Sequence, residues 1–184
     1  MRQIININST WNFTKDAPEA ENRQFEEINL PHSWNAIDGQ DGGNDYFRGT
    51  AYYEKKLVKA ELPKADRYYL EIKGANSSAD VILNGKALAH HDGGYSTWRV
   101  DITDSLEDEN ALVIAVDNAP NETVYPQMAD FTFYGGLYRD VNIIGVSQSH
   151  FDLDFFGAPG IAVTPTVEGE NAKVKVETYL INAK

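Results

Sequence analysis

The stretch 79–103 constrains the fold of this chain more than any other. At its centre, Asn84-Gly85 separates one apolar run from another. A type I′ hairpin turn requires positive φ at both central residues, and Asn followed by Gly tolerates such φ values best. Residues 97–103 then alternate polar and apolar side chains, which is typical of a strand with one buried and one wetted face. The stretch therefore predicts a hairpin and a further strand, joined through the flexible pair Gly93-Gly94.

Short strand patterns recur along the rest of the chain. Residues 68–73 alternate apolar and polar side chains and predict a strand that is buried on one side. Residues 111–116 are apolar on both faces, which predicts a central strand covered from two sides. Residues 104–109 can form one helical turn at most. Eight or more such strands with turn residues between them, and no amphipathic helix, predict an all-β sandwich.

Composition and charge exclude several function classes. The chain has 28 acidic and 16 basic residues, a formal net charge of −12, so nucleic acid and membrane surfaces are not expected as partners. A neutral sugar is compatible with that charge. Without cysteine there is no disulfide, zinc thiolate site or thiol nucleophile. No apolar run is long enough to span a bilayer and the N-terminus lacks a signal-peptide core, so a cytoplasmic location is expected.

Five motifs occur in a fixed order along the chain. They are Trp-Asn-Phe at 11–13, Leu-Pro-His-Ser-Trp at 30–34, Tyr-Phe-Arg-Gly at 46–49, the Asn-Gly-Lys turn with His-Asp-Gly-Gly-Tyr within 84–95, and Gly-Gly-Leu-Tyr-Arg-Asp-Val at 135–141. Together they resemble the N-terminal sugar-binding domain of glycoside hydrolase family 2, which includes the β-galactosidases and β-glucuronidases. The resemblance covers about residues 1–146 and implies a jelly-roll β-sandwich of the galactose-binding type.

The sequence changes character after residue 150. Residues 174–180 alternate strictly, and the chain stops shortly after them. The resemblance implies a boundary between a jelly-roll domain at 1–146 and, at 147–184, a linker with the truncated start of an immunoglobulin-like domain. Two strands cannot close a sandwich, so Val174, Val176 and Leu180 are expected to present an uncovered apolar face, and the chain looks like a fragment.

Catalytic residues are not expected in this chain. Glycosidases need two carboxylates astride the scissile bond, but among 28 acidic residues some pair always lies close, so mere presence is uninformative. The resemblance implies that the catalytic glutamates lie in a barrel domain outside this chain, which alone should be inactive. It implies a complete homo-oligomeric enzyme that hydrolyses terminal β-galactosides with retention of configuration. No cofactor is required, and sodium or magnesium is an optional addition in the complete enzyme.

The resemblance also indicates candidate sugar contacts. In β-galactosidases, the loop before the 135–141 motif carries an aspartate that contacts sugar hydroxyls and, in some members, helps hold sodium. Asp130, nine residues before Arg139, matches it, and a carboxylate can accept two hydrogen bonds from neighbouring hydroxyls. The alternative for Asp130 is a solvated loop acid. Asn44, Asp45 and Arg48 could contribute from the other loop, where the spacing departs from that of the best-known β-galactosidases.

Other polar and aromatic residues are interpreted as structural. His32 is expected at the edge of the core with its ring satisfied by backbone, and Arg139 and Asp140 are expected to tie loops together. Glycine-rich segment 38–45 does not have EF-hand spacing; a looser calcium site is the alternative, and a mobile polar loop is the preferred interpretation. The aromatic residues of the loop before residue 135 could stack on sugars, but packing is preferred. They are Tyr125, Phe131, Phe133 and Tyr134.

Alternative functions stay open at this point. A free-standing carbohydrate-binding module would have exposed coplanar aromatic rings and a closed C-terminus. A purely structural scaffold would leave the sugar site to the barrel. The same domain could also belong to a β-glucuronidase or β-mannosidase. A glucuronidase needs a cationic group for the sugar carboxylate, which would lie in the barrel, and the acidic segment 38–45 fits a neutral sugar better.

Overall fold

The structure, a computed structural model, describes residues 2–38, 46–125, 127 and 132–182. Within these ranges it contains fourteen strands and two short 3-10 helices. The strands are β1 (Gln3–Asn6), β2 (Trp11–Thr14), β3 (Glu26–Ile28), β4 (Thr50–Val58), β5 (Arg67–Ile72), β6 (Ser78–Leu83), β7 (Lys86–Asp92), β8 (Trp98–Asp101), β9 (Glu109–Asp117), β10 (Val141–Val146), β11 (His150–Phe151), β12 (Ile161–Glu168), β13 (Asn171–Thr178) and β14 (Leu180–Ile181). The 3-10 helices are Lys59–Glu61 and Thr103–Ser105. In this part of the chain, no helix is long and apolar enough to cross a membrane.

The first ten strands form two antiparallel sheets that enclose one core. The smaller sheet has the order β1-β10-β5-β8, and the larger has the order β3-β2-β4-β9-β6-β7. Alternate side chains of both sheets point into the space between them, as expected when each strand has one apolar face. Large side chains that are fully buried there include Trp11, Tyr53, Leu70, Ile72, Leu83, Leu112, Ile114 and Ile143. The prediction of an all-β jelly-roll sandwich is confirmed.

The predicted hairpin turn joins β6 to β7. Asn84 has φ 53° and Gly85 has φ 78°, so both residues are in the left-handed region that a type I′ turn requires. The Asn84 side chain ties the turn to β9, because its amide nitrogen donates to Asn110 Oδ1 at 2.9 Å and its Oδ1 accepts from Ala111 N at 2.9 Å. The hairpin predicted from 79–92 is therefore present, with its turn residues in the expected conformation.

Burial of the central strands differs from the prediction. β9 does lie between β4 and β6, but on its outer face Ala111 is exposed and Val113 is half-buried. Two-sided cover occurs instead on β10, where all six residues are buried, and on β5, which was expected to have one wet face. The physical reason is that the segment after β10 folds back over the outer face of the smaller sheet. The apolar contact there is formed by Tyr69, Ile144, Val146 and Leu153.

The same segment also covers a charged pair. Arg99 Nη2 lies 2.7 Å from Glu71 Oε2, and both side chains are only 6% exposed. Arg99 Nη1 donates to the carbonyl oxygens of Leu153 at 2.9 Å and Ala158 at 3.0 Å. Asn142 Nδ2 donates to the other Glu71 oxygen at 3.0 Å. The expectation that the Arg99 face of β8 is wet is therefore wrong at this residue, because residues 153–158 cover it.

The C-terminal strands form two small sheets apart from the sandwich. β11 pairs with β14, and β12 pairs with β13 as a hairpin. Val163 lies opposite Val176 and Pro165 lies opposite Val174, so one face of the hairpin is apolar. Val174 is 58% and Val176 is 59% exposed, which agrees with the predicted uncovered face within the described chain. The second, immunoglobulin-like domain and its boundary at residue 147 stay predictions.

Candidate functional site

The candidate site is at one end of the sandwich, where four connections between strands meet. Thr50 begins β4 and pairs with Asp117, which ends β9 and also pairs with Ser78 at the start of β6. A further bridge joins Asn76 to Gly136, just before β10. Antiparallel pairing therefore brings together the segments that precede β4 and follow β9. These are the two segments that carry the four predicted sugar contacts.

Arg48 bridges these two segments. Its Nε donates to the backbone oxygen of Asn118 at 3.0 Å, and its Nη2 donates to Gln127 Oε1. Gln127 Nε2 in turn donates to Ser77 Oγ at 2.8 Å. The guanidinium carbon of Arg48 lies 5.8 Å from the centroid of the Tyr46 ring. Arg48 is half-buried at the loop end, and two of its nitrogen atoms, Nε and Nη2, bond to the segment after β9.

The other three predicted contacts lie outside the described residues. Asn44 and Asp45 fall within 39–45, and Asp130 falls within 128–131 together with the aromatic Phe131. The interpretation of 38–45 as a mobile loop is likewise outside the described residues, except for Asp38. The Asp38 carboxylate accepts a hydrogen bond from Phe47 N at 3.0 Å, which joins the residues on either side of 39–45.

Aromatic residues pack at this end of the sandwich. Tyr125 stacks on Tyr95 with ring centroids 5.0 Å apart, and its hydroxyl donates to Asn76 Oδ1. Burial raises the pKa of Tyr125, so the phenol stays protonated and acts as a donor. Phe133 is only 6% exposed, which agrees with the packing interpretation, as does the half-buried Tyr125. Tyr134 is 39% exposed and keeps a ring surface that a ligand could contact.

The Gly-Gly pair of the 135–141 motif allows close packing beneath these loops. A Cβ on Gly135 would lie 2.1 Å from the Trp34 ring and 2.8 Å from the amide nitrogen of Asn118. Ser33 Oγ donates to the Gly135 carbonyl at 2.9 Å, so the Leu-Pro-His-Ser-Trp motif and the Gly-Gly motif are directly bonded. Two motifs that are a hundred residues apart in sequence therefore support the same loop end.

Two carboxylates of the described loop end are already engaged. Asp92 accepts hydrogen bonds from Ser78 Oγ at 2.6 Å and Thr123 Oγ1 at 2.8 Å, and these lower its pKa to about 2. Asp117 accepts from Thr50 Oγ1 and from Ala119 N, both at 2.5 Å. A general acid needs a raised pKa, so Asp92 is unsuited to that role. What the described residues offer a sugar is hydrogen bonding and aromatic surface.

A metal centre is not formed by the described residues. Among them, no group of three or more His, Asp or Glu side chains is arranged to hold a metal ion. Asp130, the candidate ligand for sodium or magnesium, lies outside those residues.

His32 has the structural role that its sequence context indicates. Its Nδ1 lies 2.9 Å from the Tyr53 hydroxyl, and its ring centroid is 4.7 Å from that of Phe13. Burial lowers the pKa of His32, which favours the neutral ring. The prediction of a satisfied histidine is confirmed, but the partner is a side-chain hydroxyl and not the backbone.

Arg139 and Asp140 tie loops together, as predicted. Arg139 Nη1 donates to the Tyr95 carbonyl at 2.9 Å. Asp140 accepts from Lys73 Nζ at 2.8 Å and from Asn8 Nδ2 at 2.9 Å. Together the two side chains join the residues before β10 to the segments around Asn8, Lys73 and Tyr95.

Buried amides at the loop end are not indicated by the sequence alone. Asn35 and Asn118 are fully buried, and Asn76 is 5% exposed. Each follows or precedes a strand pattern, where asparagine is an ordinary turn residue. The one available signal is position: Asn35 follows the 30–34 motif directly, and Asn118 follows the apolar run 111–116.

Comparisons with known proteins identify the family to which this sandwich belongs. Residues 44–154 match the family described as glycosyl hydrolase 2 galactose-binding domain-like. A β-glucuronidase of Bacteroides fragilis is 35% identical over 98% of this chain and 26% of its own length. A β-galactosidase of Thermoanaerobacter pseudethanolicus is 26% identical over 98% of this chain and 27% of its own length. Among solved structures, the FMN-binding β-glucuronidase from Facaelibacterium prausnitzii L2-6 superposes with a TM-score of 0.89, at 42% identity, over 100% of this chain and 29% of that chain.

These relatives are longer proteins, and the chain spans about a quarter of the length of the curated relatives that it matches. The family match covers more than half of the chain and includes four of the strands that frame the loop end, β4, β6, β9 and β10. The chain belongs to the galactose-binding-like domains of glycoside hydrolase family 2.

Proposed function

We propose that this chain is the non-catalytic N-terminal domain of a family 2 β-glycosidase, and that its loop end forms part of the rim of the sugar site. The observation that carries the proposal is the bridge from Arg48 to Gln127. It joins residues of the two segments in whose sequence the four candidate sugar contacts occur, which supports assigning these contacts to one end of the domain.

Each candidate has a role in this proposal. Asp130 accepts hydrogen bonds from sugar hydroxyls, and Asn44 and Asp45 add polar contacts from the other segment. Arg48 keeps the two segments together. The acid and the nucleophile come from another part of the complete protein, where a retaining mechanism needs two carboxyl groups about 5–5.5 Å apart. We propose no required cofactor, with sodium or magnesium as an optional ion and Asp130 as its candidate ligand.

The sugar is proposed to be a β-glucuronide, with a β-galactoside as the second candidate. Names of the relatives support this order: the proteins at 35% and 42% identity are β-glucuronidases, and a β-galactosidase is 26% identical. The acidic segment 38–45 favours the neutral galactoside instead. A glucuronidase would place the cationic group for the sugar carboxylate outside this chain.

Hydrolysis assays on the complete protein test the proposal. We expect release of nitrophenol from 4-nitrophenyl β-D-glucuronide, and the β-D-galactoside is the matched control for sugar choice. Faster hydrolysis of the galactoside would replace the first candidate by the second. No hydrolysis of either, or of the β-mannoside, together with micromolar binding of galactose, would support a free-standing binding module and contradict the proposal.

A paired substitution tests the part played by this domain. Arg48→Met removes the bridge between the segments, and we expect kcat/KM to fall by about tenfold or more, as for loss of hydrogen bonds from a charged group. Lys56→Met is the matched control, because Lys56 is a basic residue on β4, the strand that follows Arg48, and its side chain is 64% exposed. An equal effect of both substitutions would mean that the loop end has no part in the site.

A further inference from the structure

We infer that Asn118 is a positioning residue, which couples the two segments of the loop end through one buried amide and itself contacts no sugar. The inference rests on the proposed function, because it assigns a task within the same site. Asn118 follows β9 directly and is fully buried.

The Asn118 side chain bonds to residues that flank the first segment. Its Oδ1 accepts from Gly49 N at 2.9 Å, and its Nδ2 lies 3.3 Å from the Phe47 carbonyl oxygen. Its backbone oxygen accepts from Arg48 Nε at 3.0 Å. Three consecutive residues that follow 39–45 are therefore held by a single residue at the end of β9.

The same amide bonds to residues that flank the second segment. Asn118 Nδ2 also lies 3.3 Å from the Phe133 carbonyl oxygen and 3.1 Å from Asn35 Oδ1. Asn35 Oδ1 accepts from Gly135 N at 2.7 Å, and Asn35 Nδ2 donates to Asp38 Oδ1 at 3.1 Å. A buried carboxamide suits this place, because it supplies an acceptor and two donors from one rigid plane.

This network makes the attachment points of the two segments interdependent. Within a buried site, a donor or acceptor that loses its partner is costly, so the bonded arrangement is strongly preferred over partly bonded ones. A sugar that contacts both segments then binds to loops whose bases are already fixed. Without the amide, binding must also order those bases, which weakens affinity.

The alternative for Asn118 is a merely structural role. The chain contains a second buried asparagine, at the other end of the same strand, that can serve as a matched control. Asn110 is 3% exposed and is the second residue of β9, roughly 26 Å from Asn118 at the rise of an extended strand. Its Nδ2 donates to the Glu107 carbonyl at 2.8 Å and the Leu57 carbonyl at 3.3 Å. Its Oδ1 accepts from Glu107 N at 2.8 Å. Both asparagines thus stabilise the fold, but only Asn118 lies at the loop end.

The experiment compares Asn118→Ala with Asn110→Ala in the complete protein. Melting temperature, kcat and KM are measured with the 4-nitrophenyl glycoside that the wild type hydrolyses, well below both melting points. We expect both substitutions to lower the melting temperature. Only Asn118→Ala should raise KM, by about tenfold or more, with a smaller change in kcat, because the lost ordering affects binding more than the chemical step.

Two further variants make each outcome decisive. If kcat/KM falls no more for Asn118→Ala than for Asn110→Ala, while Asp130→Asn does lower it, the inference is wrong and the proposed function stands. If Asp130→Asn and Asn118→Ala both leave kcat/KM unchanged, the proposed function fails as well. If Asn118→Ala does not fold, Asn118→Ser replaces it, since serine removes the carboxamide that bonds Gly49, Asn35 and Phe133 but keeps a polar side chain. A KM within about twofold of wild type for that variant then overturns the inference.

Discussion

Strands β9 and β13 both present valine side chains on an apolar face, but their surroundings are very different. Val116 on β9 is fully buried, whereas Val176 on β13 is 59% exposed. β9 lies between two neighbours in the larger sheet and beneath the smaller one, while β13 pairs only with β12 among the described strands. The difference shows that the apolar pattern of a strand identifies a face that can be buried but does not indicate what covers it.

Ion pairs show the same contrast. Glu71 and Arg99, on the smaller sheet, are 6% exposed, whereas Lys175 and Glu177, on the hairpin β12–β13, are 67% and 45% exposed. The distances are similar, 2.7 Å and 2.9 Å, so geometry alone does not distinguish the pairs. Exposure to solvent does distinguish them. Water screens the exposed pair, so its contribution to the free energy of unfolding is near zero.

The largest expected effect comes from breaking the buried pair. Arg99→Met leaves the Glu71 carboxylate buried without its partner and should lower the free energy of unfolding by about 3–5 kcal/mol. Lys175→Met, the matched control on the hairpin, should change it by less than about 0.5 kcal/mol. Urea unfolding of both variants measures the difference. Equal small effects would show that water reaches the Glu71–Arg99 pair.

A pair of valine truncations gives the next largest effect. Val116→Ala removes two methyl groups from the core and should cost about 2 kcal/mol, between the usual values for Ile→Val and Leu→Ala. Val176→Ala makes the same chemical change on the open face and should stay within about 0.5 kcal/mol. Thermal unfolding of both variants tests this. A comparable loss for Val176→Ala would mean that a surface outside the described strands already covers the hairpin.

Turn glycines extend the comparison to the backbone. Gly85 in the sandwich and Gly169 in the hairpin both have positive φ, 78° and 63°, and a Cβ on either would meet no atom within 4 Å. Valine at either place should therefore cost about 1–2 kcal/mol through backbone strain alone. Hydrogen exchange should show loss of protection throughout the sandwich for Gly85→Val, but only in β12 and β13 for Gly169→Val. An unchanged melting temperature for Gly85→Val would contradict a type I′ turn.

Acid titration should give the smallest effect. The folded-state pKa of Asp92, about 2, lies below the unfolded value of 3.8, mainly because Ser78 and Thr123 donate to the carboxylate. Its contribution to stability is therefore present above pH 4 and lost as the pH falls towards 2. The melting temperature of Asp92→Asn should fall less steeply than that of wild type over this window. Parallel curves would mean that Asp92 has the same pKa in both states.

The turn, most strands and the apolar face of the hairpin follow from local sequence, whereas two-sided burial does not. Arg99 is buried by the carbonyl groups of Leu153 and Ala158, which are 54 and 59 residues further along the chain. Alternation in β5 and β8 contains no information about that contact. The prediction for β9 was wrong in the opposite direction. Its apolar run predicted cover on both faces, but Ala111 is exposed, Val113 is half-buried, and no described segment folds over Ala111.

Prediction of the candidate site was limited in a different way. All four candidate sugar contacts came from resemblance to a family, and only Arg48 lies within the described residues. Its partner Gln127 is 79 residues away, and the buried amide of Asn118 bonds to Asn35 across 83 residues. An asparagine at the end of a strand has the appearance of a turn residue, so only tertiary structure reveals such a network.

Asp130 provides the most direct test that this loop end belongs to a sugar site. In the complete protein, Asp130→Asn should lower kcat/KM by roughly 10- to 150-fold, the loss of hydrogen bonds to a charged group, with a melting temperature close to that of wild type. Glu170→Gln, an exposed acid at the β12–β13 turn, is the matched control and should leave both quantities unchanged. Activity of Asp130→Asn equal to that of Glu170→Gln would contradict the account, and Asp130 would then be an ordinary loop acid.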